Sequence, residues 1–278
     1  PRLRFLIGDV RDLNRLARAM EGIDIVFHAA ALKHVPVVEY NPFEAVQTNI
    51  LGSQNVINAS LEENVEVCVC IGTDKAVAPL NTYGATKLLM EKLFVTAGNY
   101  LNPIRHKTKF IAVRYGNVLG SSGSVVPKIV EQIKSGKKIT VTDPNMTRFN
   151  ITMNQALDLI ERAATTGKGG EVFIPKLLAY RVEDLKDALL DLSEKKNSTE
   201  IISIRPGEKL NESLLTIDEL RNTYESKHDY ILIEKSDFHK TPPHDYEKTS
   251  LNEQYSSNKV KLLTKDELKE ILQELLNS

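Results

Sequence analysis

Two short runs hold the side chains best suited to chemistry. Tyr83 and Lys87 stand four apart in Tyr83-Gly84-Ala85-Thr86-Lys87, and on a helix that spacing sends both from one face, a turn apart. A phenol with a free pKa of ~10 ionises more readily beside an ammonium, so the pair makes a base usable near neutral pH. Thr73-Asp74-Lys75, after the apolar run 65–71, adds a second acid/base pair. Sent out at the carboxyl end of a strand, it would face the crevice where open α/β sheets take their ligands. Together the runs read as a site for carbonyl chemistry. A second Tyr–Lys pair, Tyr255 and Lys259, lies in the polar stretch Tyr255-Ser256-Ser257-Asn258 with no strand or helix pattern around it, and is read as unconnected with chemistry.

The amphipathic run 87–94 supplies a helix for Tyr83, and the loop 79–81 the turn before it. Short apolar runs at 4–8, 24–29, 67–72 and 109–115 alternate with helix-period segments near 12–20, 42–63 and 83–99. That alternation predicts an α/β fold with a doubly wound parallel sheet. Asn41 followed by Pro42 makes a helix start, with Asn as cap. At 120–127 the texture turns to glycine, serine and proline, the expected substrate-facing part. A helix at 154–166 and a strand at 171–175 return to the sheet. Beyond about 215 the chain reads as polar and irregular until Thr264, whose hydroxyl can cap a last amphipathic helix bearing Leu268, Ile271, Leu272 and Leu275.

Bulk properties exclude some classes. The 278 residues are 41% hydrophobic and 26% charged, ordinary for a globular protein able to bury a full core. A formal charge of -1 gives no overall basic field of the kind nucleic-acid binding displays. There is no run of ~18 apolar residues and no signal-peptide pattern at the start, so a soluble, cytoplasmic protein is expected. Cys68 and Cys70 are two apart on one strand face, poorly placed for a disulfide and too few for a zinc set. His28, His34 and His106 lack metal spacing, and no metal is expected.

The strings HAAALKHVPVVEYNPFEAVQTNILGSQNVI (28–57), GTDKAVAPLNTYGATK (72–87), VRYGNVLGSSGSVVP (113–127), MTRF (146–149) and IRPGEKLNE (204–212) resemble the extended short-chain dehydrogenase/reductases. More narrowly they resemble the inverting UDP-N-acetylglucosamine 4,6-dehydratases among the polysaccharide biosynthesis proteins. The likeness is dense to about residue 215. It implies a Rossmann-like domain over 1–118 with 150–175, and a smaller mixed substrate-binding region with a tail over 119–149 with 176–278. In the family the first strand is followed by a glycine-rich turn at a helix N-terminus, which cradles pyrophosphate. Here the first strand ends in Gly8-Asp9-Val10, which resembles the family's third strand, so the chain is expected to be an N-terminally truncated fragment with little activity alone.

The resemblance also implies roles. Asp9 and Val10 border the adenine of a tightly bound NADP or NAD regenerated in each turnover. Ala29, Ala30 and Ala31 pass close to it, and Tyr115 lies on the nicotinamide-side strand end. Lys33 faces a phosphate or the substrate, and Asn49 supports the active-site water and lysine. Thr73 holds a sugar hydroxyl, Tyr83 takes its proton, and Lys87 holds ribose and lowers the tyrosine pKa. Asp74 is the acid and Lys75 the base of a water elimination. Retaining relatives carry Asp-Glu where this chain has Asp74-Lys75, and the change suits inversion at C5. Asn117, Ser121, Gly123, Ser124 and Val125 receive the UDP-sugar, Arg148 and Arg205 its diphosphate, and Glu208 its ribose hydroxyls. A homo-oligomer is implied. A UDP-sugar 4-epimerase needs the tyrosine and lysine but no acid/base pair, and a non-catalytic cofactor-binding or scaffold protein would tend to lose them.

Overall fold

The computed structural model describes residues 3–102, 104–121, 123–233, 242 and 245–277. Helix α1 (Leu13–Met20) starts where the Asp12 carboxylate accepts from the Arg15 N–H at 3.0 Å. It leads to β1 (Ile25–His28), α2 (Val35–Tyr40) and α3 (Pro42–Ala45). A π-helical turn, Val46–Leu51, then runs into α4 (Gly52–Glu62). Pro42 takes the first helical position as expected, but the Asn41 amide donates back to Val37 O at 2.9 Å, closing α2 instead of capping α3. There follow β2 (Val67–Ile71), the 3-10 turn Asp74–Ala76, α5 (Thr82–Thr96), β3 (Lys109–Val113), α6 (Val125–Lys134), β4 (Ile139–Val141) and β5 (Thr147–Phe149). Next come α7 (Met153–Thr166), β6 (Glu171–Pro175), β7 (Ala179–Arg181), α8 (Val182–Ser193), β8 (Thr199–Ile201) and β9 (Ser213–Leu215). The chain ends with β10 (Thr223–Glu225), β11 (Asp229–Ile233), β12 (Glu247–Lys248), β13 (Tyr255–Ser256) and α9 (Lys265–Asn277).

The central sheet has seven strands in the order β1-β2-β3-β6-β11-β10-β12. Its first four are parallel, as the β/α alternation predicts. Successive side chains of a strand point to opposite faces. Cys68, Cys70, Phe110 and Ala112 therefore share one core with α1, α4 and α5, while Val67, Val69, Ile111 and Val113 share another with α7. Both cysteines are buried and free, and burial pushes the Cys68 thiol up to about 12. A separate core joins α6, α8 and α9 through Ile129, Ile133, Leu185, Leu189, Leu268 and Leu272. The expected Thr264 cap is present: its hydroxyl accepts from the Glu267 N–H at 3.3 Å while the Glu267 carboxylate accepts from the Thr264 N–H at 2.7 Å.

Three expectations are corrected. The run 4–8 is not a strand: no strand pairs with it among the described residues, so its backbone finds no ladder, and Phe5 and Ile7 stand exposed. The stretch beyond 215 is not irregular, since β11 pairs antiparallel with β6 along five residues and β10 with β11, which extends the main sheet. Tyr255 does not lie in a polar loop; it is buried in β13 against Phe149 and Tyr230, and its hydroxyl accepts from the Leu177 N–H at 2.6 Å. Among the described residues no helix is long and apolar enough to cross a membrane, and no three His, Cys, Asp or Glu side chains gather as a metal set.

Candidate active site

The sheet aims both chemical runs at one place. Beyond β2, the Gly72 N–H donates to Val113 O at 2.7 Å and the Asp74 N–H to Tyr115 O at 3.0 Å, so 73–76 turns over the end of β3. Helix α5 begins at Asn81, whose side chain accepts from the Gly84 N–H at 2.8 Å and donates to Gly207 O at 2.9 Å. Gly84 sits so close to the turn that a Cβ there would lie 2.2 Å from Lys75 O. The glycine in Tyr83-Gly84-Ala85 thus lets the tyrosine helix rest on the acid/base turn. Gly207, at φ +75°, docks the turn 205–208 against Asn81 on the other side.

Tyr83 and Lys87 do leave one helix face, but their electrostatics differ from expectation. Lys87 is buried and its ammonium donates to Ile71 O at 2.6 Å; burial holds its pKa below the usual lysine range. Burial likewise raises the Tyr83 phenol, opposed by the positive charge of Lys75 and a hydrogen bond with Thr73. The cation that counters burial at the phenol is therefore Lys75, because Lys87 is engaged with the strand end.

Lys75 is the hub of a buried charge cluster. Its ammonium donates to Asp74 Oδ1 at 3.0 Å and to Asn117 Oδ1 at 3.4 Å, and Glu212 Oε1 lies 3.6 Å away. Burial would discharge this lysine, but Asp74 and Glu212 outweigh it and hold the charged form. Thr73 also donates to Asp74 Oδ1, at 3.0 Å, and Asp74 is only 2% exposed. Glu212 is 4% exposed and its Oε2 has no hydrogen-bond partner. Burial first, then the charge of Asp74, raises its pKa against the pull of Lys75, Arg148 and Lys209.

A cavity of about 440 Å³ opens over this cluster. Thr73, Lys75, Tyr83 and Tyr115 form its floor, with Asn117 and Glu212 beside them. Ser121, Gly123 and Ser124 before α6, Lys33, and Arg148 with Arg205 and Glu208 also line it. Arg148 donates to Thr147 O at 2.8 Å and Leu210 O at 3.1 Å, and lies 3.6 Å from Glu208. Asp74, Lys87, Asn49 and Val125 do not line the cavity. Asn49 is wholly buried and works as a clamp: Oδ1 accepts from the Leu32 N–H at 2.7 Å and Nδ2 donates to Thr86 Oγ1 at 3.0 Å. Asp9, Val10 and the alanines 29–31 lie outside it. Asp9 pairs with Arg11 at 2.8 Å, which holds its carboxyl at about 2, and Val10 packs on Gly52. Arg114, near the strand end, is also elsewhere: it is fully buried between Glu91 and Glu219. Glu212, Lys209 and Asn81 line the cavity without having been singled out in sequence. The signal for Glu212 lies in the string 204–212, but nothing in its spacing ties it to 74–75.

Comparison with known proteins gives the family. The family described as "Polysaccharide biosynthesis protein" matches residues 2–234. An uncharacterized membrane protein of Methanocaldococcus jannaschii is 44% identical over 99% of this chain and 81% of its own. An inverting UDP-N-acetylglucosamine 4,6-dehydratase of Campylobacter jejuni is 47% identical, over 84% of this chain and 68% of its own. A UDP-glucose 4-epimerase of Rickettsia conorii is 40% identical over 98% and 80%. The crystal structure of Pen from Bacillus thuringiensis superposes with a TM-score of 0.87 at 41% identity, covering 98% of this chain and 82% of that one. With the strand-end cavity and the Tyr83 helix in place, these matches put the chain in the polysaccharide biosynthesis protein family, within the extended short-chain dehydrogenase/reductases.

Proposed function

We propose that the protein is a C5-inverting UDP-N-acetylglucosamine 4,6-dehydratase, a carbon–oxygen lyase that makes a UDP-4-keto-6-deoxy-N-acetyl sugar. The observation that carries the reading is the Asp74–Lys75 pair, closed at 3.0 Å, with Lys75 and Tyr83 on one cavity floor. Sugar epimerisation at C4 needs hydride transfer and one base; elimination across C5 and C6 needs a further base and acid. The standing of Thr73, Asp74, Lys75, Tyr83 and Lys87 together argues against a non-catalytic scaffold.

Residues at the strand ends suit a flat ring. Gly116 is so tight against the floor that a Cβ would come 3.0 Å from Asp74 Oδ2, and Tyr83 and Tyr115 flank the same space. NADP or NAD bound there would be held by Tyr83 and Tyr115, with Lys87 bracing the strand end behind them, and would supply hydride acceptance at C4 and its return at C6. Thr73 orients the C4 hydroxyl and Tyr83 takes its proton. A C4 ketone acidifies the C5 proton, which Lys75 takes after passing its own proton to Asp74. A carboxyl beside Lys75 then protonates the departing C6 oxygen. Arg148 and Arg205 face the diphosphate, where guanidinium forks match phosphate oxygens, and Asn117, Ser121 and Ser124 face the sugar nucleotide.

The test is sugar-nucleotide NMR of UDP-N-acetylglucosamine incubated with the protein expressed from its whole gene. A 6-deoxy-4-keto product with L-arabino configuration at C5 and solvent deuterium there is expected. A product that keeps its C6 oxygen and changes only at C4 would show the epimerase that the Rickettsia relative suggests.

A further inference from the structure

We infer that Glu212, not Asp74, is the acid that protonates the departing C6 oxygen; the inference rests on the dehydratase reading. Three observations distinguish the carboxyls. Glu212 lines the cavity and Asp74 does not. Asp74 Oδ1 already accepts from both Thr73 and Lys75, whereas Glu212 Oε2 is buried with no hydrogen-bond partner and so is the carboxyl oxygen left free to carry a proton. Glu212 is also anchored independently of the turn: its own N–H donates to Ser257 Oγ at 3.0 Å, and the Ser257 N–H to Glu212 O at 2.8 Å. The charged groups facing it are Asp74 and Lys75 from the turn, Arg148 from β5 and Lys209. Burial and the nearby Asp74 charge favour its neutral, proton-bearing form.

The step balances. Asp74 and Glu212 hold Lys75 charged at rest, so the base must be made against that pull: Lys75 passes a proton to Asp74 across their 3.0 Å hydrogen bond, leaving a neutral amine and a carboxylic acid. The amine takes the C5 proton, the C5–H electrons become the C5=C6 bond, and the C6–O bond breaks. The departing oxygen takes the Glu212 proton and leaves as water. What remains is an ammonium and a carboxylate at ion-pair distance, 3.6 Å, so the charge created by elimination is neutralised where it forms. Asp74 serves as the store for the lysine proton, a positioning role.

Glu212→Gln in the whole-gene protein tests this, with UDP-N-acetylglucosamine in deuterated water followed by NMR. The expected result is C6 water loss slowed by at least ~100-fold while C5–H exchange with solvent persists, because the base still works when the acid is gone. Asp74→Asn should lose exchange and elimination together. Glu212→Gln eliminating at the wild-type rate, or losing exchange and elimination in step as Asp74→Asn does, overturns the inference. Should Glu212→Gln fail to fold, Glu212→Asp keeps the acid one methylene short and should show the same split in smaller measure; parallel losses there overturn it equally. A wild-type protein that yields only a C4 epimer would instead refute the dehydratase reading itself.

Discussion

At the residue scale, the site uses burial to set charge. Burial holds Tyr83 above the ordinary phenol range, against the opposing charge of Lys75. Tyr83→Phe removes one hydroxyl and should cut C4 oxidation by roughly 10²–10⁴-fold. Stability should fall by about 1 kcal/mol, the net value of a hydrogen bond. Single-turnover formation of the ketone against thermal unfolding separates the effects, and oxidation at the wild-type rate would remove Tyr83 as the base. His28 gives an independent check on burial. Stacked on Phe94 and 2.8 Å from Ser53 Oγ, it is pushed from 6.5 down to about 4 by burial and, secondarily, by Lys87. Between those values the unfolded chain binds a proton that the folded one refuses. The stability present above pH 6.5 is therefore lost as pH falls toward 4, by about 3 kcal/mol in full. Urea unfolding across that window should show the slope in wild type and lose it in His28→Gln; an unchanged slope in the variant would assign it to other groups.

At the element scale, the turn 74–76 and α5 act as one unit because Gly84 lets backbone meet backbone. Gly84→Ala would place a Cβ 2.2 Å from Lys75 O. The turn must shift, at a cost of roughly 1–3 kcal/mol, and Lys75 shifts with it. Calorimetry should show a lowered midpoint and turnover should fall beyond what instability explains; a variant equal to wild type in both would mean that the contact is soft. Much of this was legible in the chain. The parallel strands β1, β2, β3 and β6 and the helices α1, α5, α7 and α9 are continuous periodic runs, and periodicity is what sequence displays. Strands β9 to β13 escaped because each is only two to five residues long, too short to show a period, and β11 finds its ladder on β6, some sixty residues earlier by number. Thr73, Lys75 and Tyr83 could be found because they share local runs. Glu212 could not, since its meaning comes from Lys75 alone, and the Arg114–Glu91–Glu219 network turned a strand-end arginine into a buried tie for the same reason.

At the scale of the whole molecule, the two sides of the sheet are not equally finished. One flank continues past β6 into β11, β10 and β12, so each of these strands is paired. The other flank stops at β1, which pairs only with β2 among the described residues. Its outward side chains Ile25 and Phe27 are 46% and 52% exposed, because α7 covers β2, β3 and β6 but makes no comparable contact with β1. Leu3, Phe5 and Ile7 add exposed apolar surface at 72%, 90% and 95%. An unpaired strand carrying apolar side chains is a template for another chain. A protein of these 278 residues should therefore self-associate with rising concentration. Replacing Ile25 and Phe27 together by lysine should suppress the association without touching the cavity, since neither side chain lines it and charge on an edge opposes pairing. Sedimentation velocity over a concentration series measures both chains. If the doubly substituted chain associates as strongly as the parent, the β1 flank is not the sticky surface, and the exposed run 3–7 becomes the next segment to charge.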